Sequence, residues 1–135
     1  MNRMKKVVAI MVALLLIILQ PLTVYASAIM PRYVYIDNIT ARFEIDTTWG
    51  IASCEGSVAA KDDLPVEVIV KLQKRVNGQW ETLKTWSVED SWGAYASGHY
   101  AIDRGYDYRI YVVGYVYDSA GNVIDGATLA KEQYY

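Results

Sequence analysis

Cysteine and histidine are each present once in this 135-residue chain, as Cys54 and His99. A lone thiol closes no internal disulfide. The crosslinked framework of many small exported domains is therefore excluded, and stability has to come from packed apolar area. One thiol and one imidazole complete no ordinary zinc site without recruiting carboxylates. For nucleophilic catalysis they leave one arrangement, a Cys54–His99 dyad on facing strands with the thiol accessible. The plainer expectation is an inert thiol, because a free cysteine in mid-strand packs as a small hydrophobe. No metal, cofactor or catalytic residue is expected.

What is present begins with an export signal. Arg3, Lys5 and Lys6 precede an unbroken apolar run over residues 7–19, which Gln20 and Pro21 end. The run is shorter than the roughly 20 residues a spanning helix needs. Small residues follow at signal-peptidase spacing, with cleavage expected after Ala26 and a second register at Ala28. No cysteine stands there to accept a lipid. The reading is a cleaved signal-peptide helix at 1–26, a short linker at 27–34 and one domain at 35–135, secreted and free of the membrane. Losing residues 1–26 leaves ten basic side chains against all fifteen acidic ones, a net charge of −5 with His99 neutral. An acidic domain without Lys/Arg clusters is a poor ligand for nucleic acid or anionic lipid, so both partners are set aside.

Beyond the linker the pattern is strands and turns, with no helical period. Residues 39–45 alternate, with Ile39, Ala41, Phe43 and Ile45 on one face. Residues 49–58 form a second segment around Cys54. Val66, Val68, Val70 and Leu72 share a face of the clearest strand, and Asn77-Gly78 is the strongest hairpin signal, leading into residues 79–88. Residues 89–98, rich in Ser, Gly and aromatics, read as a long connection. Short segments at 98–102, 106–117 and 123–131 complete about seven strands. The fold class expected is all-β, a two-sheet sandwich of immunoglobulin-like or fibronectin type III-like kind.

The segment Ile102-Asp103-Arg104-Gly105-Tyr106-Asp107-Tyr108-Arg109-Ile110-Tyr111-Val112 resembles the fibronectin type III corner. That resemblance makes Tyr108 a corner tyrosine whose hydroxyl bonds the backbone just upstream, and turns Ile110 and Val112 into the core. In the same geometry the position facing Cys54 is Ile110. Leu72-Gln73-Lys74, Gly78-Gln79-Trp80, Trp86 and residues 105–109 are also similar to small secreted proteins of Gram-positive, Firmicute-type bacteria, a likeness that implies compartment and lineage but no activity.

Other chemistry finds weak footing. Asp62-Asp63 and the carboxylates of 118–125 are the places where calcium could gather, but Asp118-Ser119-Ala120-Gly121-Asn122 reads first as a hairpin turn. Glu89-Asp90 beside Trp86 and Trp92 is the best glycosidase-like acid pair, and adjacent loop acids are ordinarily just solvated. The aromatics offer more. Tyr111, Tyr115 and Tyr117 fall on the outer face of their strand, Trp80 and Trp86 sit at even spacing, and Trp92 and Tyr95 fall in the expected connection. Trp92, Tyr95, Trp80, Trp86, Tyr111 and Tyr115 are the candidate binding residues. The function expected is a non-catalytic secreted binding module for cell wall, glycan or protein, with a bacteriocin-like effector acting on other cells as the competing reading.

Overall fold

A computed structural model describes residues 33–135. The expected signal peptide, its expected cleavage site and most of the expected linker lie outside the described residues. Seven strands follow in order: β1 (Ile36–Asp46), β2 (Ile51–Ala60), β3 (Pro65–Val76), β4 (Gln79–Ser91), β5 (Gly93–Ala101), β6 (Asp107–Tyr117) and β7 (Val123–Tyr134). They form two antiparallel sheets, β1-β2-β5 and β4-β3-β6-β7, packed as a sandwich. The described residues contain no helix.

Period-two alternation sorts each strand. Val66, Val68, Val70 and Leu72 of β3 are at most 1% exposed and meet Tyr108, Ile110, Val112 and Val116 of β6 in one core. From the smaller sheet Ile39, Ala41, Phe43 and Ile45 turn inward as the pattern requires, opposite Val58, Gly56, Cys54 and Ala52. Full burial of each Val, Leu or Ile contributes roughly 1.5–3 kcal/mol. The hairpin at Asn77-Gly78 has both central residues at positive φ, 50° and 78°, which gives it the twist of its flanking strands.

The connection expected at 89–98 is not there. β4 runs to Ser91 and β5 starts at Gly93, so one nearly continuous stretch changes sheets at Trp92. Its inner residues are Ala94, Ala96 and Gly98, whose small size hides the alternation. At position 98 the reason is Trp86 of β4, which fills the space between the sheets so that a Cβ there would overlap its indole.

Trp80 and Trp86 do not share a face as their even spacing implies. β4 carries a bulge: Thr82 pairs Gln73 and Lys84 pairs Leu72, leaving Leu83 as an extra residue. An inserted residue reverses the alternation beyond it. Trp80 therefore lies outside, opposite Arg75, while Trp86 lies inside, opposite Val70.

The corner at Tyr108 matches the expectation. Its ring is fully buried. Its hydroxyl donates to the Asp103 carbonyl at 2.7 Å and accepts the Asp103 amide at 3.1 Å. Removing the hydroxyl strands two backbone groups at once. Tyr108→Phe is expected to lose about 1–3 kcal/mol in urea unfolding with an unchanged m-value.

Candidate functional site

Each sheet presents one outer face. On the smaller sheet this face is hydroxyl-rich and polar. Thr40 and Ser57 share a hydrogen bond, as do Ser53 and His99, with Ser53 Oγ 3.0 Å from His99 Nδ1. His99 thus lies on the outer face, next to Gly98, while Cys54 points into the core with no exposed surface. The Cys54–His99 dyad is not formed. Burial pushes the Cys54 thiol up to about 12, so almost no thiolate exists near neutral pH. The inert reading of this cysteine fits its position in the same core cluster as Ile110.

The acid candidates separate as well. Glu89 pairs across to Glu67 while Asp90 pairs to Val66, so the pleat sends the two adjacent acids to opposite faces. Glu67 accepts the Tyr117 hydroxyl at 2.5 Å, and this bond, with desolvation second, pushes the Tyr117 phenol up to about 12. Beside it lies an open groove of about 370 Å³ lined by Pro65, Glu89, Tyr117, Asp118, Ser119 and Gly121.

The carboxylates of residues 118–125 are occupied by backbone. Asp118 accepts the amides of Ala120 and Asn122 at 2.9 and 2.8 Å, so it closes its own turn. Asp125 accepts the amides of Tyr35 and Ile36 at 2.8 and 3.1 Å, fastening the start of β1 to β7. Among the described residues no three metal-ligating side chains gather.

The larger sheet has a different outer face. The Arg109 guanidinium lies 4.5 Å from the Trp80 ring centre and 5.1 Å from that of Tyr111, and its Nε donates to Gln73 Oε1 at 2.7 Å. Arg75 approaches the Trp80 ring at 5.9 Å. Tyr115 lies over Gly126, where a Cβ would stand in ordinary contact 3.4 Å from the ring. Trp80, Tyr111 and Tyr115 are half-buried here, while Trp86 is packed against the core.

Trp92 and Tyr95 are the most open of the six candidates, 57% and 55% exposed. Neither stands in a loop. Tyr95 is on the outer face of β5 opposite Ser57, and Trp92 is the single residue at the sheet change. Its carbonyl accepts the Ala60 amide at 2.7 Å and its amide donates to the Leu64 carbonyl at 3.2 Å. Those bonds hold it at φ +67°, a left-handed conformation that penalises every side chain.

A third group of aromatics escapes pattern reading. Trp49 is 76% exposed in the β1–β2 turn and Tyr134 68% exposed at the end of β7. The alternation of the residues after Trp49 extends the expected strand over it. Asp46, which accepts the amides of Thr48 and Trp49, is the turn signal that places it outside.

The chain matches no protein-family model and no curated protein.

The Asp125 fastener carries a pH dependence. Partial burial raises its carboxyl pKa, and the amides of Tyr35, Ile36 and Gly126 more than offset this, leaving it below the ordinary 3.8. A carboxyl depressed in the fold adds stability that is present above its unfolded pKa and lost as pH falls through the folded one. Amide exchange at Tyr35 and Ile36 should be protected near pH 6 and lose that protection, beyond the intrinsic rate change, near pH 2. Asp125→Asn should abolish this pH dependence. An unchanged profile in the variant would assign it to another group.

Proposed function

We propose that this is a non-catalytic secreted binding module of fibronectin type III-like kind, and that Trp92 and Tyr95 form its contact with a glycan of the cell surface. Export rests on the leader pattern of residues 1–26. The fold kind is supported by the strand order, with β1-β2-β5 set against β3-β6-β7 and β4 joined to the larger sheet, and by the buried corner tyrosine. Against catalysis stand the separated thiol and imidazole and the split acid pair.

One observation carries the ligand-binding part. A bulky aromatic, more than half exposed, occupies a left-handed position where glycine carries no steric penalty. Packing does not explain that choice, since the residue is 57% exposed. Strain retained at an exposed residue is accounted for when the side chain meets a ligand. A flat indole and an exposed phenol three residues further along the chain suit the apolar face of a sugar ring. They suit a protein partner as the second ligand class.

Trp92→Gly separates the two roles. It relieves the left-handed strain and enlarges unfolded-state entropy, so stability should stay within about 1 kcal/mol of the parent. Retention on peptidoglycan or insoluble polysaccharide should fall about tenfold or more, a loss of roughly 1.4 kcal/mol. Tyr95→Ala should act in the same direction. A parent protein that is not retained, or retention indifferent to both variants, would remove the glycan reading. A protein captured through Trp92 instead would move it to the second ligand class.

A further inference from the structure

The outer face of the larger sheet is self-complementary in a way its strands do not need for their own fold. The register lays it out in rows across β4, β3, β6 and β7. Its middle row is uncharged: Ser87, Ile69, Val113 and Thr128. Val113 is only 7% exposed and is flanked along β6, on that face, by Tyr111 and Tyr115. On one side of this row Lys71 stands beside Tyr111, and on the other Glu67 stands beside Tyr115. β6 thus reads Tyr-Val-Tyr about Val113, and β3 reads Glu-Ile-Lys about Ile69. Aromatics repeat across the middle row while charge inverts.

Charge continues the same way outward. Arg109 and Arg75 lie on the Lys71 side, and Glu89 lies on the Glu67 side. The opposing Glu132 sits on the edge strand beside Arg109. Among the described residues the only ion pair is Arg42–Glu44 on the other sheet, so none of these groups is neutralised within its own chain.

We infer that this face pairs with the same face of a second copy, about a two-fold axis that runs across the strands through the row of Ile69 and Val113. Rotation about that axis brings Lys71 onto Glu67 of the second copy, Tyr111 onto its Tyr115, and Ile69 and Val113 onto themselves. A two-fold along the strands would lay the Lys71 row on the Lys71 row and the Glu67 row on the Glu67 row and pair no opposite charges, so charge selects the first axis. An isologous contact of this kind closes on itself and builds no fibre. Two sheets packed face to face cross at roughly 30°. That displaces distant rows most and leaves the Lys71–Glu67 pair, one row from the axis, in register.

The face measures roughly 19 by 30 Å on ordinary strand spacings and rises, about 1,100 Å² buried in all. That lies just below the range of stable specific interfaces, so a reversible, micromolar dimer is expected. The surface is distinct from Trp92 and Tyr95, and each dimer would carry two such ligand sites.

Sedimentation velocity on the chain from residue 27, which contains the whole sandwich, tests this by charge exchange. The parent should show a concentration-dependent monomer–dimer equilibrium. K71E sets two carboxylates against each other across the axis, and E67K sets two ammonium groups against each other, so each should weaken association about tenfold or more. The double variant E67K/K71E restores opposite charges across the axis and should recover dimerisation to within about threefold of the parent. E67K costs the monomer its Tyr117 hydrogen bond, and the double variant keeps that loss, so recovered association cannot come from recovered stability. A chain that stays monomeric at millimolar concentration, a double variant that stays dissociated, or a dimer indifferent to all three changes would overturn the inference. None of these outcomes touches the glycan reading, which depends on Trp92.

Discussion

The single residue inserted into β4 at Leu83 decides what both surfaces of the larger sheet become. In a pleated strand every second side chain shares a face, so one extra residue exchanges inside for outside over everything beyond it. Before the bulge, Trp80 lies outside between two arginines. After it, Trp86 lies inside and spans to Gly98 of the opposite sheet. Without the bulge both indoles would fall on one face. Either the core would lose its largest filler at the β4–β5 side, or the outer face would lose Trp80 and the clamp on Arg109. The glycine at 98 makes sense only with Trp86 in place, so the bulge and Gly98 depend on each other.

Much of the fold is legible in the sequence because it follows local rules. Alternation in β1, β3 and β6 names the inward residues correctly, and Asn77-Gly78 names the tightest hairpin. The segment around Gly105 places the corner tyrosine and its upstream partner. The failures share a cause. A bulge has no strong composition signal, since Leu83 is an ordinary strand residue, and only pairing with β3 reveals that it is unmatched. Only the end of β5 is foreseen, within the segment 98–102, because its inner residues are alanine and glycine, which carry little hydrophobic signal, and the large group over Gly98 is supplied by another strand. Tertiary packing, not local propensity, sets that choice.

The candidate site is legible in residue type and less so in place. Trp92 and Tyr95 stand out on the premise that loops carry function. They prove exposed, but one stands at a sheet change and the other in a strand. The strain at Trp92 has no counterpart in the sequence, since positive φ is imposed by the bonds from Ala60 and to Leu64 at the crossing. Trp49 and Tyr134 are exposed aromatics of the same chemical kind that strand periodicity passes over.

A domain held by packing alone needs its ends secured, and here side-chain-to-backbone hydrogen bonds do so. Tyr108 fastens the approach to β6, Asp125 ties the first residues of β1 to β7, and Asp118 closes the β6–β7 turn. Each uses a group already positioned by its strand, so little additional chain entropy is lost in forming the bond. The middle of the sandwich is then free to be almost wholly apolar, with no buried side-chain polar atom lacking a partner among the described residues. That economy explains how a chain with one thiol and no crosslink keeps two contrasting outer faces. Neither face is required for the core, so the hydroxyl-rich surface of the smaller sheet and the charge-inverted aromatic surface of the larger one are open to selection by what they touch.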